Sequence, residues 1–141
     1  MRPIKRVAVL GSGVMGSSIA AHLANCGVPS LMLDIVPPNL SEEEKKDKAK
    51  RDSIATSGKK NLVKVRPAPL YREADLDLIQ VGNFEDDLPL IAECDWIVEA
   101  VVEDVRIKRA IFEKVAKHRR PGSLVSTNTS GVPLRLMVDL M

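Results

Sequence analysis

The chain has 141 residues, the size of one domain and long enough to bury a core of its own. Its composition is that of a globular protein, 45% hydrophobic and 28% charged, and its formal net charge of +2 gives no global reason to bind nucleic acid or a membrane. Aromatic residues make up 3% of the chain, which argues further against a surface that stacks nucleic-acid bases.

The N-terminal part of the chain predicts two buried strands separated by a helix. Residues 6–10 are a short run rich in Val and Leu, which is typical of a strand buried on both faces. From Val14 to about Cys26 the apolar residues fall at helical spacing, and Gly27 follows as a residue that commonly ends a helix. A second buried strand is predicted at residues 31–35, and it contains Asp34 near its end.

The segment from Ser41 to about Val65 predicts one long helix. Ser41 can cap it, and the acids at 42–44 fall in its first turn, where the helix dipole favours negative charge. We allow a break at Gly58, and the prolines of "RPAPLY" end the helix.

The remaining sequence predicts three more strands and a second strong helix. The strands are expected at residues 78–81, 96–101 and 124–126, the helix at 105–118, and a short helix or turn at 85–92. Helices that alternate with buried strands are typical of a Rossmann-type, doubly wound and mainly parallel α/β sheet.

The last residues, "VPLRLMVDLM", have the pattern of an amphipathic helix with no cap or polar tail after it. We therefore expect residues 1–141 to be a single domain that belongs to a longer protein.

The cysteines indicate a reducing compartment. Cys26 and Cys94 have no metal-ligand spacing and are too few for a disulfide framework. The apolar stretch near the N-terminus meets Gly11 too soon for a signal peptide or a membrane span. We expect a cytoplasmic protein without a metal site.

The stretch "VAVLGSGVMGSSIAAHL" carries the main motif of the chain. Its "GSGVMG" is G-x-G-x-x-G, placed where a strand ends and a helix begins. Gly11 would permit a tight turn, Gly13 would let a pyrophosphate lie against the backbone, and Gly16 would let helix and strand pack closely. The unpaired N–H groups at the helix N-terminus would face the phosphates. A plain turn is the alternative interpretation.

Asp34 distinguishes these two interpretations. It ends the second strand, 18 residues after Gly16, where a carboxylate can accept hydrogen bonds from the ribose of an adenosine. The same carboxylate would repel a 2′-phosphate, and Ile35 and Val36 supply no arginine to hold one. The sequence therefore predicts a dinucleotide site that prefers NAD to NADP.

Three separated motifs make the chain similar to a known family. The segments "VLGSGVMGSSIAAHLA…LDI", "DWIVEAVVEDVRIKRAIFEKV" and "GSLVSTNTSGVPL" resemble, in this order, the N-terminal NAD-binding domain of 3-hydroxyacyl-CoA dehydrogenases. The resemblance is strongest to the fused multifunctional forms of fatty-acid β-oxidation. It implies oxidation of (S)-3-hydroxyacyl-CoA to 3-oxoacyl-CoA, with hydride transfer to NAD.

The resemblance also implies roles for individual residues. Glu103 matches the acid that orients the catalytic histidine of the family, and Lys108 matches a lysine near the nicotinamide ribose. Ser130 matches the serine that hydrogen-bonds the 3-oxygen of the substrate, and Asn128 an asparagine beside the nicotinamide. The predicted catalytic residues are Ser130 and Glu103, and the predicted cofactor contacts are Gly11, Ser12, Gly13, Val14, Met15, Gly16, Asp34, Ala100, Val101, Glu103, Lys108 and Asn128.

The segment 45–66 is strongly basic, with nine Lys or Arg against two Asp. A solvated helical face is the simple interpretation. The resemblance implies another, because the helical hairpin of the family reaches toward the phosphates of coenzyme A here. Ser57, Lys60, Lys64 and Ser130 are the predicted substrate contacts.

The resemblance further implies parts that these 141 residues lack. The catalytic histidine of the family lies in a "G-x-H-F-F-N-P" motif downstream of Ser130, and a helical C-terminal domain closes the cleft and mediates dimerisation. We therefore expect the chain alone to bind NAD but to be nearly inactive, and the full protein to form a homodimer. Two alternatives stay open: an NAD-dependent sugar-acid or UDP-sugar dehydrogenase, and a non-catalytic NAD-sensing module.

Overall fold

A computed structural model describes residues 3–65, 68–102 and 104–128. Within these residues the centre of the fold is a parallel sheet of five strands in the order β3-β2-β1-β4-β5. The strands are β1 (Val7–Leu10), β2 (Ser30–Asp34), β3 (Ile79–Asn83), β4 (Trp96–Glu99) and β5 (Leu124–Thr127). The predicted Rossmann-type α/β fold is confirmed.

Helices cover both faces of this sheet. They are α1 (Val14–Asn25), α2 (Lys48–Arg51), α3 (Ser53–Asn61) and α4 (Val105–His118), with short 3₁₀ helices at Glu44–Lys46, Glu73–Leu78 and Leu88–Glu93. Among the described residues, none of the helices has the length and apolar character that crossing a bilayer requires.

The side chains of β1 alternate between two hydrophobic cores, as the period of a strand requires. Val7 and Val9 pack with the alanines of α1 on one face. Ala8 and Leu10 pack with Ile111 and other residues on the α4 face. Because both faces of β1 are covered, all four of its residues are buried, which explains the continuous apolar run in the sequence.

The direction of the chain across the sheet reverses at β1. From β1 the chain passes to β2 and β3 on one side, and it later returns to β4 and β5 on the other. Ligands of open α/β sheets bind at such a reversal, beyond the carboxyl ends of the strands. The functional site is therefore expected above β1, between the ends of β2 and β4.

The prediction of one long helix from Ser41 to Val65 is wrong. The segment is a 3₁₀ helix followed by the short helices α2 and α3. Helical structure is interrupted at Asp47, whose carboxylate accepts a hydrogen bond from the N–H of Ala49, and again at Asp52. Asp52 is buried, and its carboxylate accepts hydrogen bonds from Lys48 and from the side chain of Asn83 at the end of β3.

Gly58 does not break a helix either. It lies inside α3, where a Cβ atom would come 2.5 Å from the carbonyl oxygen of Ser12. Glycine is needed there because α3 packs directly against the loop after β1. The strand bounds differ from the prediction by one or two residues, for example β2, which begins and ends one residue earlier.

Candidate functional site

Two glycines of the motif, Gly11 in the β1–α1 loop and Gly16 in α1, are required by close packing. Gly11 has a φ of +111°, and a Cβ atom on it would lie 2.5 Å from the carbonyl oxygen of Ala100. A Cβ atom on Gly16 would lie 1.8 Å from the carbonyl oxygen of Gly11. Both contacts are with backbone, which a side chain cannot displace cheaply. The geometry therefore matches the tight turn and close helix packing predicted for these positions.

Gly13 lies in a different environment. It precedes α1 with an ordinary φ of −68°, and no described atom lies within 4 Å of where its Cβ would be. Among the described residues no side chain caps α1, so its first N–H groups are directed toward this open space. Val14 and Met15 are exposed beside it, at 84% and 53%. The arrangement fits a pyrophosphate, which a helix N-terminus favours.

Asp34 ends β2 next to this loop. Its Oδ2 accepts hydrogen bonds from the N–H and the hydroxyl of Ser12, at 2.8 and 2.6 Å, and its Oδ1 accepts one from the N–H of Ile35 at 2.7 Å. A carboxylate can accept about four hydrogen bonds, so one acceptor position of Asp34 is unused. A ligand hydroxyl could also replace the Ser12 hydroxyl as a donor to Asp34. The half-buried Asp34 is thus suited to accept hydrogen bonds from a ribose diol.

The loop is held from the other side by α3. Gly58 of α3 packs against the carbonyl oxygen of Ser12, and the carbonyl oxygen of Ile54 in the same helix lies 3.3 Å from the Ser12 hydroxyl. From α1, the Ser17 hydroxyl also donates to the carbonyl oxygen of Ser12 at 2.7 Å. Gly58 was not among the site residues predicted from the sequence. A glycine in an otherwise helical pattern was the available indication, because it often marks a close approach.

A groove of about 430 Å³ lies between α1 and the end of α3. Gly13 and Val14 line it on one side, and Asn61 and Lys64 on the other. Of the three substrate contacts predicted on this segment, the structure places Lys64 at the groove. Ser57 and Lys60 are exposed on α3 and do not line it.

Two other basic residues of this segment are paired with acids that follow β3. Lys48 contacts Asp52 and Asp87, and the Arg51 guanidinium contacts Asp86. The hydrogen bonds from Arg51, and then from Asn83, lower the pKa of Asp86 to about 2. These pairs attach α2 to the end of β3.

The nicotinamide side of the cleft is predicted at the ends of β4 and β5. Ala100 and Val101, both half-buried, follow β4, and the N–H of Ala100 donates to the carbonyl oxygen of Leu10 at 2.8 Å. Asn128 is exposed after β5, and its N–H donates to the carbonyl oxygen of Glu99 at 2.8 Å. The predicted contacts from the glycine loop, Asp34, Ala100, Val101 and Asn128 thus all lie at the same edge of the sheet.

Lys108 is placed below this edge. It is fully buried in α4, and its Nζ lies 2.8 Å from Oε2 and 3.0 Å from Oε1 of Glu99. The sequence analysis did not pair these two residues, which are nine positions apart. Glu103 and Ser130 lie outside the described residues. In the described ranges no group of three or more His, Cys, Asp or Glu side chains is placed to hold a metal ion.

Comparison with known proteins agrees with the family resemblance found in the sequence. A family profile described as "3-hydroxyacyl-CoA dehydrogenase, NAD binding domain" matches residues 6–141. The chain is 48% identical to a "Probable 3-hydroxyacyl-CoA dehydrogenase" of Bacillus subtilis, and the match covers 96% of this chain and 18% of that protein. It is 32% identical to a peroxisomal fatty acid beta-oxidation multifunctional protein of Arabidopsis thaliana, over 94% of this chain and 17% of that protein.

The fold is also found among solved structures. The crystal structure of M. tuberculosis FadB2 matches with a TM-score of 0.74 and 27% identity, over 99% of this chain and 46% of that one. This chain therefore spans less than half the length of each of these relatives.

Proposed function

Because the chain belongs to the family of 3-hydroxyacyl-CoA dehydrogenase NAD-binding domains, we propose that it supplies the cofactor site of an enzyme that oxidises (S)-3-hydroxyacyl-CoA to 3-oxoacyl-CoA. The pathway proposed is fatty-acid β-oxidation, which is supported by the likeness to a multifunctional protein of that pathway. The observation that carries the proposal is the open backbone at Gly13, between a helix N-terminus and the carboxylate of Asp34.

The adenosine half of NAD is assigned to the β2 side of the cleft. Asp34 would accept hydrogen bonds from the ribose hydroxyls, while Ser12 and Gly13 present backbone to the pyrophosphate. A 2′-phosphate would place negative charge beside the Asp34 carboxylate, which supports NAD over NADP. Val14 and Met15 would be covered by the bound dinucleotide.

The nicotinamide half is assigned to the other side of Gly11. NAD supplies a hydride acceptor when it is bound. Val101, Ala100 and Asn128 would line its ring and ribose, and the family resemblance adds Glu103. Lys108, which the resemblance implies near the ribose, is fully buried against Glu99 and would act from behind Val101. Ser130 would hold the 3-oxygen of the substrate, and Glu103 would orient a histidine that takes the hydroxyl proton. That histidine is expected in the part of the protein beyond residue 141.

Lys64 is the best supported of the proposed contacts to coenzyme A. It lines the groove between α1 and α3, next to the loop that would hold the cofactor, and it carries a charge complementary to a phosphate. Ser57 and Lys60 are proposed as outer contacts because they are exposed on the same helix.

The proposal extends to the whole protein. Because the chain covers 18% of its Bacillus subtilis relative, we propose that the active enzyme is longer, and that it dimerises through a C-terminal domain. The described cysteines, Cys26 and Cys94, are free thiols, which supports a cytoplasmic location.

Two measurements test this function. The 141-residue chain should bind NADH, with an affinity at least tenfold higher than for NADPH, and should oxidise NADH with acetoacetyl-CoA negligibly. The full-length gene product should catalyse that reaction. Full-length protein that binds NADH but reduces no 3-oxoacyl-CoA would support a sensing module instead, and NAD-dependent oxidation of a UDP-sugar or a sugar acid alone would support the other dehydrogenase class.

A further inference from the structure

A fully buried ion pair lies under the nicotinamide side of the cleft. The side chains of Glu99, the last residue of β4, and Lys108 in α4 are both inaccessible to solvent, with the closest N···O distance at 2.8 Å. Such a pair is a weak source of stability, because the cost of removing two charges from water offsets most of their attraction. Its location therefore requires another explanation.

The pair holds both backbone polar groups of Val101. The N–H of Val101 donates to Oε2 of Glu99 at 2.6 Å, and Nζ of Lys108 lies 3.3 Å from the carbonyl oxygen of Val101. The hydroxyl of Thr127, at the end of β5, donates to Oε1 of Glu99. One carboxylate thus connects the end of β5 with the loop that follows β4.

The loop after β4 is also held on its opposite side, where it contacts the β1–α1 loop. The N–H of Ala100 is bonded to Leu10, and the backbone of Ala100 and Val101 lies so close to Gly11 that a Cβ atom would not fit between them. The N–H of Asn128 is bonded to the backbone of Glu99. Val101, a proposed nicotinamide contact, is therefore held by the carboxylate of Glu99, which also binds Thr127, the residue before Asn128.

We propose that Glu99 is a positioning residue for the nicotinamide ring of the cofactor. It acts through the Val101 N–H and the end of β5, while Lys108 compensates its charge. The inference rests on the proposed function. The adenosine half, which is assigned to Asp34 on the far side of Gly11, does not depend on Glu99.

The test compares NADH with ADP-ribose, which lacks the nicotinamide, as ligands of the full-length gene product. Two double variants both carry Lys108→Met, so every contact of Lys108 is lost equally in both, and the charge of Glu99 is removed together with that of its partner. The first adds Glu99→Leu, which removes every acceptor. The second adds Glu99→Gln, whose amide oxygen can still accept from Val101.

The Leu variant should bind NADH about five- to tenfold more weakly than the Gln variant, the loss expected for one or two hydrogen bonds that hold a ligand-binding loop. ADP-ribose affinity should be equal in the two. Val115→Ala, a core change elsewhere in α4, is the control for lost stability and should leave the NADH to ADP-ribose ratio unchanged.

Equal ratios in the two double variants would overturn the proposal. If either variant does not fold, Thr127→Val decides, because it keeps the ion pair and removes one donor to Glu99. It should lower NADH affinity without affecting ADP-ribose, and an unchanged ratio refutes the positioning role. Wild-type protein that binds NADH no better than ADP-ribose and reduces no acetoacetyl-CoA would instead refute the proposed function.

Discussion

Alanine at Gly13 and alanine at Gly16 are expected to have opposite effects, because the two glycines are needed for different reasons. At Gly16 a methyl group would lie 1.8 Å from the oxygen and 2.7 Å from the carbon of the Gly11 carbonyl. Overpacking costs about 1–3 kcal/mol in ordinary cases, and a backbone contact this short belongs at the upper end. The gain in helix propensity offsets about 1 kcal/mol of it.

We therefore expect Gly16→Ala to lower the free energy of unfolding by at least about 2 kcal/mol, and the melting temperature by roughly 5–10 °C. At Gly13 the φ of −68° suits alanine and no described atom is near, so the melting temperature should be unchanged or slightly raised. The methyl group would instead occupy the space assigned to the pyrophosphate. Loss of one charge-assisted hydrogen bond is about 1.5–3 kcal/mol, or roughly a 10- to 150-fold weaker NADH complex.

Circular dichroism melts and NADH fluorescence titrations measure the two effects separately. Gly27→Ala is the matched control: it follows α1 at a φ of +78° in open space, so it should cost about 1 kcal/mol in backbone strain and leave NADH affinity unaltered. Unchanged NADH affinity in Gly13→Ala would refute the assignment of the pyrophosphate. Wild-type melting of Gly16→Ala would refute the packing argument.

Three further predictions concern single groups. Asp34→Ala should weaken NADH binding by about 1–3 kcal/mol in a titration and reduce the preference over NADPH, and unchanged affinity would remove Asp34 from the ribose site. A thiol reagent at pH 8 should label exposed Cys26 at once and Cys94 only after unfolding, because burial raises the pKa of the Cys94 thiol to about 11. The hydrogen bond from Arg51 lowers the pKa of Asp86 from 3.8 to about 2, so its stabilisation is present above pH 3.8 and lost as the pH falls through 2. Urea unfolding should show Asp86→Asn less stable than wild type at pH 6, by at most about 1 kcal/mol for a partly exposed pair, and no less stable below pH 2.

The sequence alone predicted the structure correctly where the local residue pattern determines the geometry. The apolar run of β1 indicated a strand covered on both faces, and both faces are covered. The spacing of Gly11, Gly13 and Gly16 indicated a turn, an open backbone and a close contact in this order, and the structure has them in this order.

The sequence did not predict the structure where contacts between residues distant in the chain determine it. The predicted long helix after Ser41 satisfied capping and charge rules, yet it breaks at Asp52. That carboxylate is bonded to Asn83, 31 positions later, at the end of a strand whose place in the sheet follows from topology. Gly58 was likewise interpreted as a possible helix break, because the sequence does not show that Ser12 lies against it. In the structure, Gly58 permits the close packing of α3 against Ser12.

Asp34 and Glu99 show how burial distinguishes two carboxylates at the carboxyl ends of the strands on either side of β1. Leu10 of β1 pairs with Leu33, next to Asp34, on one side and with Glu99 on the other. Asp34 is half-buried and bonded to an exchangeable hydroxyl, so it can accept a ligand. Glu99 is fully buried in an ion pair with Lys108. If Glu99 bound a ligand in place of Lys108, the lysine would be left as an unpaired charge in the core. Of these two acids, Asp34 is therefore the one that we propose to bind the cofactor, and Glu99 the one that we propose to hold the loop after β4.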